Sequence, residues 1–299
     1  MQCYLARPMS HGITAKIKGV SLLVLTTILW GTSFVFIKLS VSNIDPFSYT
    51  AYRTLFATVV LTAILVVLKM MGRPINMDSM VKGMITGIAY ASGLLLQAAG
   101  TAYTTPSLSA FITGFNTIHV HVYVALLGKS YGVLDLLALL LSMLGLYVLT
   151  SPQGGIGIGE LLVFLGSIAW AAQIILISKY RHTNVLEFLH GMFLTGSFMA
   201  PLAYIVYGFQ LDMEILKYLA YLAVACSIGA TFFQVWGQKY VSAASAAVIF
   251  LLEPVFALLF SVLMGMEELE IYKVLGGGMI VISTYIVTLS EMRKKPSQF

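Results

Sequence analysis

Residues 242–264 read SAASAAVIFLLEPVFALLFSVLM. The stretch carries a single charge, Glu253, near its middle. A helix needs about 20 apolar residues to cross a bilayer core. A charged group inside such a span is costly and usually marks function. Pro254 follows directly. It removes a backbone donor and frees the carbonyl near residue 250, so a bend beside the carboxyl is expected. This stretch reads as a transmembrane helix with a hinge at an ionisable group.

Nine further segments of similar length and apolarity flank it. They cover roughly 19–40, 46–68, 80–102, 106–127, 131–151, 158–178, 185–207, 215–237 and 270–290. The connections are short, which favours one compact bundle. The expected fold is an all-α integral membrane protein of ten transmembrane helices. Residues 1–18 and 291–299 are expected to be cytoplasmic tails. The run after Lys18 is too long for the apolar core of a cleaved signal, roughly 7–15 residues, so the first helix is expected to be retained.

Composition agrees. Of 299 residues, 59% are hydrophobic and 10% charged, and the mean hydropathy is +0.92. A soluble domain carries roughly 25% charged residues. The formal charge of +5 does not point to nucleic acid, because the basic residues sit in short clusters between apolar runs. That is the pattern of loops at an anionic membrane face. With both termini inside, thirteen Lys and Arg fall on inner segments and three outside, Lys38, Lys217 and Lys273. Arg53 alone is left within a span. This bias supports the orientation and an even helix number. Cys3 and Cys226 are the two cysteines and read as free thiols.

The chain repeats itself. At an offset of 140, Gly19 meets Gly159 and Trp30 meets Trp170. At 137, Gln97 meets Gln234, Tyr103 meets Tyr240 and Gly128 meets Gly265. The halves are 19–151 and 158–290. Five spans per half is an odd number, so the second half enters from the opposite side. This is an inverted-topology repeat, a design that places a substrate site near the midplane between halves. Small pairs such as Gly83/Gly87, Ala110/Gly114 and Ala243/Ala247 suit close helix packing.

Polar residues inside the spans are the candidate site. Arg53 lies roughly 10 Å below the outer face and Glu253 roughly 14–16 Å below it. Their depths allow contact if the helices are neighbours. Arg53, Glu253 and Pro254 are candidates for coupling or gating. Trp30, Ser33, Tyr90, Gln97, Asn116, His119, Trp170, Gln173, Thr231 and Gln234 are candidates for a substrate cavity, because buried amides need partners and matching faces recur in both halves. His119 and His121 lie roughly 200° apart on a helix and cannot share a metal, so no metal site is expected. Glu267, Glu268 and Glu270 cluster before the last span and read as a solvated loop.

Several motifs together resemble the EamA group of the drug/metabolite transporter superfamily. They are Trp30-Gly31-Thr32-Ser33-Phe34 with Lys38, then Arg53, Tyr240-Val241-Ser242-Ala243-Ala244 and Leu252-Glu253-Pro254-Val255. Met264-Gly265-Met266-Glu267-Glu268 and the glycine run 276–278 complete the set. The resemblance implies two EamA repeats and export or exchange of amino acids, other metabolites or drugs across the plasma membrane, with no cofactor. It supports Trp30, Arg53, Trp170 and Glu253 as positions of interest. The first half departs from the second by having Phe115-Asn116-Thr117 opposite Leu252-Glu253-Pro254, and Lys129 after Gly128. Only one half therefore carries a mid-membrane carboxyl.

A secondary transporter is the favoured reading, with a small-molecule substrate, the bilayer and protons as candidate partners, acting as monomer or homodimer. A membrane enzyme would show paired intramembrane acids, a GxSxG turn or HExxH, and none is present. A passive channel would show a selectivity ring or repeated filter, and neither is visible. A passive channel or a non-transporting membrane receptor is the alternative reading, and a membrane-embedded enzyme ranks below both.

Overall fold

The computed structural model describes residues 12–128, 132–150, 157–208 and 211–293, and among them every regular element is helical. The first half contains α1 (Ile13–Val41), α2 (Pro46–Met70), α3 (Met77–Thr101), α4 (Pro106–Thr113), α5 (Asn116–Leu126) and α6 (Val133–Thr150). The second contains α7 (Ile158–Lys179), α8 (Val185–Ser197), α9 (Ala200–Tyr207), α10 (Met213–Tyr221), α11 (Ala230–Gly237), α12 (Ala243–Phe250), α13 (Leu252–Leu263) and α14 (Ile271–Arg293). A π-helical segment, Leu222–Gly229, joins α10 to α11.

By length and apolarity, eight stretches among the described residues can cross a membrane. The expected tenfold count is not reached on that measure. The 106–126 stretch is split at Gly114 and Phe115 into pieces of 8 and 11 residues, and α6 is a shorter apolar helix. α1 starts at Ile13, so residues expected in the first tail are already helical. Cys3, Arg7, Lys129 and the segments 1–11 and 294–299 lie outside the described residues.

Helix ends follow from local chemistry, and they repeat. Asn76 accepts from Ser79 N at 2.8 Å to start α3, and Asp212 accepts from Ile215 N at 2.8 Å to start α10. Thr105 caps α4 and Ser242 caps α12. Each side-chain oxygen satisfies a first-turn N–H that has no partner within the helix. Gly128 and Gly265 end α5 and α13 with φ of 69° and 68°. Only glycine enters that left-handed region without steric cost. These matched pairs sit 136 or 137 residues apart, so the internal repeat extends to the turns.

The halves interleave rather than sit side by side. α6 packs along α14, α3 against α7 and α8, and α1 against α11, α12 and α13. Close approach depends on missing side chains. A Cβ on Gly83 would collide with the Phe188 carbonyl, and one on Gly191 with the Met80 carbonyl. α3 and α8 therefore touch backbone to backbone, the packing mode of helices in lipid. Outward, Val59, Val66 and Val67 on α2, Leu137, Leu140 and Leu144 on α6, and Val281 and Ile282 on α14 are exposed. Such an apolar exterior matches acyl chains and would aggregate in water.

Candidate functional site

A cavity lies where the two halves meet. α1 contributes Trp30 and Ser33, α2 Arg53, and α3 Tyr90, Leu94 and Gln97. Thr113 and Asn116 face it from the α4–α5 junction, Trp170, Gln173 and Ile174 from α7, and Glu253 from α13. The cavity is small, about 30 Å³, enough for a few waters. A metabolite does not fit until the walls part.

Two helix breaks build one wall. α4 gives way to α5 at Gly114–Phe115, and α12 to α13 at Leu251, at repeat-related positions. Phe115 N bonds Ile112 O and Leu251 N bonds Val248 O, both at 3.1 Å and three residues back. The helix tightens there instead of continuing. Pro254 has no N–H to return to Phe250, which explains the second break. In the first half Thr117 replaces proline, and its hydroxyl donates to Ala247 O at 2.8 Å. That bond pins the two broken helices where they cross. Asn116 and Glu253 thus occupy first turns of half-helices, where the positive end of the helix dipole favours anionic groups.

Arg53 is held from two sides. Its Nε donates to Ser227 Oγ at 2.9 Å and its Nη1 to Tyr49 OH at 2.6 Å. Tyr90 OH donates to the same Ser227 Oγ at 3.0 Å. Ser227 belongs to the π-helical segment. Such segments shift the register of a helix and recur at functional sites. Glu253 is buried, and among the described residues it has no hydrogen bond or ion pair. The cavity therefore holds a guanidinium and a carboxyl that are not paired with each other.

The amides and indoles divide into supports and free faces. Gln97 Nε2 donates to Thr113 Oγ1 at 2.9 Å. Gln173 and Gln234 exchange two bonds of 2.8 and 2.9 Å. Trp30 Nε1 donates to Cys226 O at 3.1 Å, while Trp170 Nε1 has no acceptor among the described residues. The two rings lie 6.4 Å apart at 43°. Gly93 makes room for Trp170, since a Cβ there would stand 3.0 Å from the indole.

Of the expected cavity residues, Trp30, Ser33, Tyr90, Gln97, Asn116, Trp170 and Gln173 line it, together with Arg53 and Glu253. Three do not. His119 turns to α7, with Nε2 3.1 Å from Ser167 Oγ. Thr231 is fully buried, and its hydroxyl has no partner among the described residues. Gln234 is fully buried behind Gln173. Pro254 shapes the wall without lining it. Leu94 and Ile174 were missed, because an apolar residue in an apolar helix carries no distinguishing signal. Glu267 also differs from expectation. Its side chain is only 9% exposed, and it accepts bonds from Ser107 and Ser261. Cys226 is a free, buried thiol as expected.

Residues 17–151 and 157–289 each match the EamA-like transporter family. An "uncharacterized transporter" of Archaeoglobus fulgidus is 28% identical over 272 residues, covering 89% of this chain and 84% of its own. "Uncharacterized transporter YoaV" of Bacillus subtilis is 25% identical over 292 residues, covering 90% of this chain and 96% of its own. A solved crystal structure superposes with a TM-score of 0.72 over 95% of this chain and 99% of that one, at 17% identity. A likeness that distant speaks for the fold alone.

Proposed function

The chain belongs to the EamA-like transporter family, and on that premise we propose that it is a secondary transporter exporting a small solute across the plasma membrane by alternating access. The solute is a metabolite, an amino acid or a drug-like compound. The observation that carries this reading is the cavity walled by both halves, with Arg53 and Glu253 inside it and not paired with each other. A solute bearing both an anionic group and a donor or cationic group complements such a pair.

Other features support the details. Each family-matched half contains five helical runs once α4–α5 and α6 are counted as spans. This supports ten spans in two inverted halves, and the basic-residue bias supports cytoplasmic termini. The cavity is completed within one chain, so one chain is the functional unit. Its tight closure favours a carrier over an open channel. Glu253 is the candidate proton carrier, because it is a mid-membrane carboxyl with no hydrogen bond or ion pair among the described residues.

Flux through purified protein in liposomes tests this. Uptake should saturate with solute concentration, and trapped unlabelled solute should accelerate entry of labelled solute. Flux that rises without limit and shows no such exchange overturns the carrier in favour of a channel.

A further inference from the structure

A carboxylate grips the start of each of the two short helices that run to the breaks at the cavity, and the grips lie at opposite membrane faces. Glu267 sits in the turn between α13 and α14, on the face assigned to the outside. It accepts from Ser107 N at 3.1 Å and from Ser107 Oγ at the start of α4. Ser261 Oγ donates to it at 2.9 Å, and Lys273 Nζ lies 3.7 Å away. Glu291 lies near the end of α14, on the other face, and is fully buried. It accepts from Ser242 N at 3.3 Å, Ser242 Oγ at 3.1 Å and Ser245 Oγ at the start of α12. Lys16 of α1 donates to the Glu291 backbone carbonyl at 2.8 Å.

α4 and α12 begin at repeat-related positions and are eight residues each, about 12 Å long. One end of each is held by a carboxylate. The other ends at the break that presents Asn116 or Glu253 to the cavity. The outer grip joins the two halves, since Glu267 belongs to the second and Ser107 to the first. Beside it lies an open depression on the face assigned to the outside, with Lys38, Pro106 and Met266 in its walls. The inner grip lies within the second half, and Lys16 ties it to the first.

We propose that Glu267 and Glu291 are reciprocal latches. Glu267 keeps α4 closed toward the outside, Glu291 keeps α12 closed toward the inside, and the transport cycle releases one at a time. The proposal rests on the alternating-access reading above. A carboxylate on a helix N-terminus has the strength such a contact needs. It is directional and charge-assisted, yet modest enough to break in each cycle.

The test uses the full chain in liposomes, with Cys3 and Cys226 replaced by serine and Leu94→Cys as a cavity reporter. A membrane-impermeant maleimide is applied from one side at a time, and a tag on one terminus identifies the sides. Glu267→Gln should raise outside labelling about tenfold and leave inside labelling unchanged, and Glu291→Gln should do the reverse. Equal labelling from both sides, or no change from the parent, overturns the latches. If Glu267→Gln does not fold, Ser107→Ala removes one bond of the outer latch and should give a smaller rise on the same side, whereas no rise overturns the proposal. Labelling needs no substrate. Side-specific labelling without saturable flux would therefore sink the transport reading alone, and uniform labelling with saturable flux would sink the latches alone.

Discussion

Arg53 donates to Ser227 at 2.9 Å and forms no ion pair with Glu253, although both line the same cavity. A guanidinium fixed by a hydroxyl and a phenol keeps part of its donor fork for a ligand. A guanidinium locked to a carboxylate would not.

Arg53→Lys retains the charge but offers a compact ammonium in place of a planar fork. It should lose at least one of the bonds to Tyr49 and Ser227. Thermal unfolding in detergent is expected to show a loss of about 2–3 kcal/mol. Half-saturation for an anionic solute should rise at least about tenfold. An unchanged melting temperature would show that the network does not support the fold.

Glu253→Gln keeps the shape and removes the titrating group. If protons enter as solute leaves, acidifying the outside should speed export by the parent protein. The variant should export at a rate insensitive to outside pH, while solute-for-solute exchange persists. A variant that still responds to outside acid would take Glu253 out of the coupling.

The two cavity tryptophans should behave differently. Trp30→Phe gives up the bond to Cys226 O and should cost about 1 kcal/mol of stability. Trp170→Phe gives up no hydrogen bond to the described residues. It should leave the melting temperature nearly unchanged and raise the half-saturation constant. Equal losses of stability would mean that both indoles are structural.

Gly83→Ala drives a methyl group into the Phe188 carbonyl. Overpacking of this kind costs about 1–3 kcal/mol, and the melting temperature should fall accordingly. Gly278→Ala has nothing within 4 Å of the added carbon and serves as the neutral control.

The spans and the repeat were legible because lipid demands long apolar runs, and because matched tryptophan and glutamine are rare inside them. Arg53 and Glu253 stood out for the same reason. Ser227, Thr231, Gln234 and Gln238 recur at spacings of 4, 3 and 4 along 215–237 and its end, and this polar stripe is a poorer guide. It runs roughly 16 Å along its helix, farther than a cavity of this size reaches. Ser227 serves Arg53, Gln234 pairs with Gln173, and Gln238 bonds Ser178 at 2.8 Å. The stripe is spread over several neighbours. The π-helical segment and the break at Gly114 left no clear mark, because both depend on packing against other helices. Glu267 looked like one acid among three. Its partial burial depends on Ser107, 160 residues away.

The tightness of the chamber bears on the cell's membrane voltage. A chamber that holds only a few waters cannot support a continuous wet file from one face to the other. The idle protein should therefore leave the ion gradients of its membrane intact, however many copies are inserted.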